Sequence, residues 1–292
     1  MDKDIIAKST VLNNIIKNAR DILYRWGYKE VFLPTIAKYK PDIRRGLKFI
    51  YCNEIYLIKP DATSRIFHSI SKKSGTYRLF YISEVLENRV KGEFQLGIEA
   101  INTKDSKIEI MLVILSVLDR LGIKNFYIDI GSLKVWKENA KDKKQWETIL
   151  MALKNRDFEI IESGKFNKNT KEKLWKLFNF RGKFSEYKKL NDIVKNIGDP
   201  RIFIDFGTMR PLTYYDDLVF EIYTNLSGKP IGGGGDYILQ NGTKGVGVGL
   251  NLDVISNLAT IKPREKVAKL KPHELKKAYE IVKKGGAVKI GD

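Results

Sequence analysis

The polar residues best suited to hold a ligand lie in three short segments. Residues 94–99 read Phe-Gln-Leu-Gly-Ile-Glu, and strand alternation would put Gln95, Gly97 and Glu99 on one face. That face is either a solvent face or the floor of a pocket, and the pattern alone favours solvent. Arg210 lies in the second segment, residues 209–217, where a lone arginine between strands is usually a surface residue.

The third segment, residues 231–236, reads Ile-Gly-Gly-Gly-Gly-Asp. Glycine tolerates positive φ and lets a ligand approach the backbone closely. The run matches neither the phosphate loop, since no Lys-Ser/Thr follows, nor the dinucleotide fingerprint. A tight loop between strands explains it equally well. In residues 245–252, glycine alternates with apolar residues, which is typical of a strand that packs against a bulky group or lines a pocket.

Several classes of protein are excluded by composition. Cys52 is the only cysteine, and His68 and His273 are the only histidines, so an internal disulfide, a thiolate metal cluster and a multi-histidine site are all ruled out. We expect neither a metal nor a cofactor. The sequence has no apolar run near the ~18 residues of a spanning helix, and its charged N-terminus has no signal-peptide pattern. A soluble, cytoplasmic protein is expected.

The charge is strongly basic, with 53 Lys and Arg against 35 Asp and Glu, a formal net charge of +18. Residues 134–190 carry 16 basic and 8 acidic side chains, and residues 262–292 carry 10 and 4. Such an excess fits a nucleic-acid surface or a solvated, lysine-rich surface, and we favour the second.

The apolar spacing predicts amphipathic helices over residues 3–26 and 105–121, with strands between and after them. Residues 134–198 are predicted to form a basic helical insert. The order of elements favours an α+β fold with a largely antiparallel sheet flanked by helices, although periodicity does not exclude a doubly wound sheet. We expect a single core over residues 1–292.

Taken in order, the motifs resemble those of class II aminoacyl-tRNA synthetases, and the histidyl enzymes in particular. The segments that carry the resemblance are residues 28–34, 59–63, 78–81, 95–99, 210–221, 232–235 and 245–252. The resemblance implies a synthetase-like antiparallel sheet and a histidine pocket. The implied histidine-binding residues are Asp61, Thr63, Gln95, Glu99, Arg210, Tyr214 and Tyr215, with pocket glycines at Gly233, Gly234 and Gly247.

Each implied contact is chemically reasonable. Asp61 and Gln95 suit the ligand's ammonium group, Arg210 its carboxylate, and Glu99 with Tyr215 its imidazole ring. Asp61 stands where the histidyl enzymes have Glu, one methylene longer.

The departures from the synthetase pattern bear on function. The second-motif arginine falls at Glu87 and the third-motif arginine at Val254, so two charges that would neutralise ATP are absent; Arg89 could replace only the first. The sequence also ends soon after the third motif, so we expect no anticodon-binding domain. A protein that keeps the histidine pocket but lacks these arginines and the anticodon-binding domain is similar to the regulatory subunits of ATP phosphoribosyltransferase.

That similarity implies a non-enzymatic, histidine-sensing protein that partners a catalytic subunit in histidine biosynthesis, as a homodimer or hetero-oligomer. Two alternatives stay open. One is a synthetase-like enzyme that forms histidyl-adenylate. The other is a nucleic-acid-binding paralogue of histidyl-tRNA synthetase that uses the basic insert and tail.

Overall fold

The computed structural model describes residues 3–41, 46–70, 75–86, 92–210, 215–226, 228–239, 242–261, 267–271, 274–283 and 287–290. The chain divides into two compact units, Met1–Ala259 and Thr260–Asp292. The single core expected over residues 1–292 stays a prediction. Within the described residues, no helix has the length and apolar character needed to cross a membrane.

The first unit contains a large sheet and a small one. Its strands, in chain order, are β1 (Lys29–Glu30), β2 (Ile36–Lys38), β3 (Leu47–Tyr51), β4 (Glu54–Ile58), β5 (Tyr77–Leu86), β6 (Gly92–Ile101), β7 (Phe126–Ser132), β8 (Arg181–Gly182), β9 (Ile202–Asp205), β10 (Tyr215–Thr224), β11 (Gly232–Ile238) and β12 (Lys244–Asn251).

Nine of these strands, as far as the described ranges extend, form one sheet in the order β1-β5-β6-β12-β11-β10-β7-β9-β8, and β2-β4-β3 form a separate sheet. Pairing is antiparallel throughout the large sheet except between β1 and β5 and between β7 and β9. This topology confirms the α+β prediction and excludes a doubly wound parallel sheet.

The helices of the first unit are α1 (Lys3–Arg25), α2 (Ala62–Ile70), α3 (Ser106–Arg120), α4 (Leu133–Lys137), α5 (Lys143–Asn155), α6 (Glu159–Glu162), α7 (Lys168–Phe178), α8 (Lys188–Ile197) and α9 (Leu252–Ser256). Helix α3 packs on β6 and β12 and against α1. Helices α4 to α8 occupy the segment expected to be a basic insert. Trp136 of α4 is buried and donates its indole N–H to the Phe206 carbonyl at 2.7 Å, which attaches the insert to the sheet.

Strand β11 is the largest departure from the expected elements. The glycine run was explained equally well as a tight loop, because glycine has low strand propensity. In the fold, Gly232–Ile238 pairs with β10 on one side and β12 on the other. Backbone hydrogen bonds along both edges stabilise the strand, so local propensity does not decide its conformation.

The second unit is a strand-helix-strand arrangement of β13 (Val267–Leu270), α10 (Leu275–Lys283) and β14 (Ala287–Ile290). The two strands pair in parallel, with Val267 opposite Ala287 and Leu270 opposite Ile290. A parallel pair needs a crossover connection, and α10, which packs on β14, lies within it.

One carboxylate, Glu109 of α3, joins three parts of the first unit. It accepts two hydrogen bonds from the Arg78 guanidinium of β5, both 2.8 Å, and one from the Tyr28 hydroxyl at 2.7 Å. We predict that Glu109→Ala lowers the free energy of unfolding by about 2–3 kcal/mol, because it leaves a partly buried arginine and a buried hydroxyl without their acceptor.

Urea denaturation would measure this loss. The matched control is Glu147→Ala on α5, whose side chain is 62% exposed and pairs only loosely with Lys143, at 3.8 Å. That change should cost less than about 0.5 kcal/mol. Equal effects of the two substitutions would contradict the anchoring role of Glu109.

Candidate functional site

A cavity of about 210 Å³ lies on one face of the large sheet, where β6, β12 and β11 are neighbours. This volume is below the ~300–1,000 Å³ of pockets for drug-sized ligands, so the cavity suits a small metabolite. Its lining residues are Asp61, Thr63, Val85, Glu93, Phe94, Gln95, Glu99, Arg210, Tyr215, Pro230, Ile231, Gly232, Gly233, Tyr237, Gly247, Val248, Gly249, Leu250 and Asn251.

Glycines make room for the larger polar side chains of the cavity. Gly247 of β12 lies opposite Glu99 of β6, and a Cβ atom there would be 2.1 Å from Glu99 Oε2. A Cβ on Gly233 of β11 would be 3.1 Å from Arg210 Nη1. Side chains at either position would therefore displace the groups that can contact a ligand.

Glu99 is the most deeply buried carboxyl group of the cavity, with 1% of its surface exposed. It accepts hydrogen bonds from the Thr63 hydroxyl at 2.7 Å and the Tyr237 hydroxyl at 2.9 Å. Burial raises the pKa of Glu99 from 4.5 to about 8, although the two hydrogen bonds oppose this rise and the charge of Asp61 adds to it. At neutral pH Glu99 is therefore mainly protonated and can donate a hydrogen bond as well as accept one.

Asp61 and Gln95 are held by their own local hydrogen bonds. Asp61 caps α2, since its Oδ2 accepts from the Ser64 backbone N–H at 2.9 Å and from the Ser64 hydroxyl at 2.6 Å. Gln95 donates its amide N–H to the Tyr81 hydroxyl at 3.0 Å, which leaves the amide oxygen as its acceptor. Both residues thus present fixed acceptors to a cationic group.

Arg210 is the one cationic side chain among the described residues that line the cavity, where three carboxyl groups also lie. Its Nη1 is 3.5 Å from Glu221 Oε1, and its buried Nε has no hydrogen-bond partner within the described ranges. A cation, fixed acceptors and a buried group that can both donate and accept together match the chemistry of a zwitterion with a polar ring.

The cavity brings together Asp61, Thr63, Gln95, Glu99, Arg210 and Tyr215, as the motifs imply, along with Gly233 and Gly247. The pocket-floor alternative for residues 94–99 thus replaces the favoured solvent face. Gly234 is absent from the lining, because alternation turns it to the opposite face, where a Cβ would be 2.8 Å from the Phe220 ring. Tyr214, Glu87 and Arg89 lie outside the described residues.

Sequence reasoning missed Tyr237, Glu93 and Asn251. Tyr237 could have been found had the glycine run been assigned as a strand, since alternation then places it on the same face as Gly233. Glu93 and Asn251 carry no local signal, because they meet only through the pairing of β6 with β12.

Glu93 and Asn251 form another polar part of the lining. Asn251 donates to Glu93 Oε2 at 2.8 Å, so a carboxylate and an amide lie there. Val254, the position of the third-motif arginine, lies on α9 and is not part of the lining. A negative charge at this place disfavours a polyphosphate.

The model of the histidyl-tRNA synthetase family matches residues 7–195 and 168–255. The chain belongs to the histidyl-tRNA synthetase family. Similar proteins carry two kinds of name, regulatory subunit and ligase. An ATP phosphoribosyltransferase regulatory subunit of Desulforamulus reducens is 24% identical over 80% of this chain and 71% of its own length. A histidine–tRNA ligase of Sulfolobus acidocaldarius is 23% identical over 75% of this chain and 62% of its own.

Solved structures of this synthetase-like family share the fold. A Bacillus halodurans C protein described as an ATP phosphoribosyltransferase regulatory subunit/histidyl-tRNA synthetase aligns with a TM-score of 0.77 and 19% identity, over 97% of this chain and 89% of its own. An ATP phosphoribosyl transferase (HisG:HisZ) complex from Thermotoga maritima aligns with a TM-score of 0.67 and 18% identity, over 82% of this chain and 96% of that one. These alignments confirm the class II synthetase-like fold.

The buried Glu99 predicts a pH dependence of stability. The folded protein keeps the Glu99 proton up to a pKa of about 8, whereas an unfolded glutamate loses it near 4.5. Folding then retains a proton that unfolding releases, so this contribution to stability decreases as pH rises from about 4.5 to about 8 and is constant above.

Chemical denaturation across this pH range would measure the free energy of unfolding of the parent protein and of Glu99→Gln. The difference between the two isolates the contribution of Glu99 ionisation. The parent should lose stability relative to the variant, on the order of a few kcal/mol, as pH increases. If this difference does not change with pH, the pKa of Glu99 is not raised.

Proposed function

We propose that this protein is a histidine-binding regulatory subunit of ATP phosphoribosyltransferase, acting in histidine biosynthesis with a separate catalytic subunit. The observation that carries the proposal is the polarity of the cavity. Arg210 provides a cation for the ligand's carboxylate, while Asp61 and Gln95 provide acceptors for the ammonium. Glu99, between Thr63 and Tyr237, provides a buried polar partner for an imidazole ring.

The same cavity supports a role without adenylate chemistry. Its described lining offers Glu93 and Asn251, rather than cations, beside the amino-acid site. An amino acid can bind there without ATP, and a signal can then be passed only by a difference in affinity between two states of a complex. Coupling of about 1–3 kcal/mol is typical for such regulation. The name of the Desulforamulus reducens relative is in keeping with this role.

Exposed apolar side chains support association with another protein. On α1, Ile5 and Ile6 are 59% and 67% exposed, and on the β3-β4 hairpin Ile50 and Tyr51 are 75% and 65% exposed. Neighbouring exposed apolar residues are the kind of surface that protein contacts bury. We propose that the chain forms a homodimer or a hetero-oligomer with the catalytic subunit, as the Thermotoga maritima complex pairs two proteins.

We predict that millimolar histidine raises the melting temperature of the protein. At a concentration of 100 times Kd, the gain in stability is about 2.7 kcal/mol. Arg210→Ala should weaken binding by at least about tenfold, because the ligand's carboxylate loses its charged partner. Glu99→Ala should weaken binding of histidine while sparing any ligand without a polar ring.

Arg25→Ala is the matched control for Arg210→Ala, because the Arg25 side chain is 67% exposed on α1 and is absent from the cavity. Histidinol, which lacks the carboxylate, should bind equally to the parent protein and to Arg210→Ala. The proposal fails if histidine produces no thermal shift in the parent protein.

We further predict that the protein co-purifies with the catalytic subunit of ATP phosphoribosyltransferase from the same source, and that histidine changes the phosphoribosyltransferase activity of the mixture. Arg210→Ala should keep the association but lose the response to histidine. Histidine-dependent exchange of pyrophosphate into ATP by this chain alone would instead support an adenylate-forming enzyme.

A further inference from the structure

Glu221 is a buried carboxylate that lies between two arginines from different parts of the first unit. Only 7% of its surface is exposed. Its Oε1 is 3.5 Å from Nη1 of Arg210, which lines the amino-acid cavity, and its Oε2 is 3.5 Å from Nη2 of Arg156, which follows helix α5 of the insert. One charge is therefore shared by the cavity and the insert.

The sheet register explains why Glu221 can reach both. Glu221 of β10 lies opposite Gly233 of β11 and opposite Asp129 of β7. Because Gly233 has no side chain, the Arg210 guanidinium can lie over that strand. On the other side, Asp129 accepts a hydrogen bond from Arg181 Nε at 3.0 Å and forms an ion pair with Arg181 Nη2 at 2.9 Å, so it does not compete for Arg156 as an unpaired anion would.

Tyr223 stabilises the contact between Glu221 and Arg156 of the insert. Its hydroxyl donates to Glu221 Oε2 at 2.5 Å and accepts from Arg156 Nη2 at 2.5 Å. Arg156 has a left-handed backbone, φ 53°, at the C-cap of α5, which directs the chain out of the helix at this point. Arg156 and Tyr223 therefore engage the same carboxylate oxygen, and Arg210 faces the other.

The pairing of Arg210 is loose compared with other arginines of this protein. Arg78 binds Glu109 through two hydrogen bonds of 2.8 Å, and another such pair, Arg201 with Asp119, has distances of 2.5 and 3.0 Å. A guanidinium held in that way has fewer donors left for a ligand. Arg210 keeps donors available for a ligand, because one of the two Glu221 oxygens, Oε2, contacts Arg156 and Tyr223 instead.

We infer that Glu221 positions Arg210 for the carboxylate of the bound amino acid, and that Arg156 tunes this site from the helical insert by sharing the Glu221 charge. This inference rests on the proposed function. Without Arg156, the whole charge of Glu221 acts on Arg210, draws the guanidinium toward β10 and competes with the ligand's carboxylate. Movement of the insert that shifts Arg156 away from Glu221 would lower the affinity of the cavity for the ligand in the same way.

A second cavity on the insert side gives Arg156 room to move. It has a volume of about 390 Å³, and its lining includes Arg156, Lys154, Glu221 and Tyr223. The Arg156 side chain is 67% exposed, so its replacement should not impair folding. Lys154, on the same helix and in the same lining, provides a control with the same loss of charge.

The test is a double-mutant cycle on the full chain, with calorimetric titration of histidine and of histidinol. Arg156→Met should raise the Kd for histidine by roughly fivefold or more and change the Kd for histidinol by less than about twofold. In a Glu221→Gln background, the same substitution should change neither Kd, because the shared charge is gone. Lys154→Met should have no effect in either background.

If the parent protein and Arg156→Met bind histidine with equal affinity, the coupling through Arg156 is wrong, but the proposed amino-acid site is not contradicted. The coupling is also overturned if Lys154→Met causes the same loss, or if Arg156→Met acts equally in the Glu221→Gln background. If the parent protein binds no histidine, the proposed function falls and the inference falls with it.

Discussion

The arrangement of the site depends on one steric constraint, the absence of side chains on the sheet face beneath the cavity. Gly233 on β11 and Gly247 on β12 lie where Cβ atoms would contact Arg210 and Glu99. A sheet normally fills both faces with side chains, so a cavity on a sheet needs such a bare region. The two flanking ladders of hydrogen bonds stabilise the glycine strand that makes it possible.

The fold could be predicted from the sequence where several local signals agreed. The periodicity of α1 and α3 and the Gly245–Leu252 alternation each indicated the observed element, and the ordered motifs indicated the family. Strand β11 could not be assigned from its own residues, because its conformation is set by its two neighbours. Tyr237 was missed for the same reason, since its contact with Glu99 exists only through strand pairing.

The basic charge and the cavity are located in different places. The cavity has one described cation and several carboxyl groups, whereas the helices of the insert carry much of the positive excess. Glu221 is the point where these two regions meet, because one oxygen faces the cavity and the other faces the insert. The net charge of +18 therefore describes the outer surface and says little about the cavity.

Under the proposed function, the protonated Glu99 has a consequence for discrimination among amino acids. A carboxyl group that holds its proton at neutral pH can hydrogen-bond to a ring nitrogen in either tautomer, as donor or as acceptor. An amino acid of similar size with a hydrocarbon side chain would offer no partner to this proton and would place apolar atoms against the carboxyl group. The penalty for that mismatch, typically about 1–3 kcal/mol, is paid only by the wrong ligand. Under the proposed function, the proton that Glu99 retains therefore selects against ligands with apolar side chains.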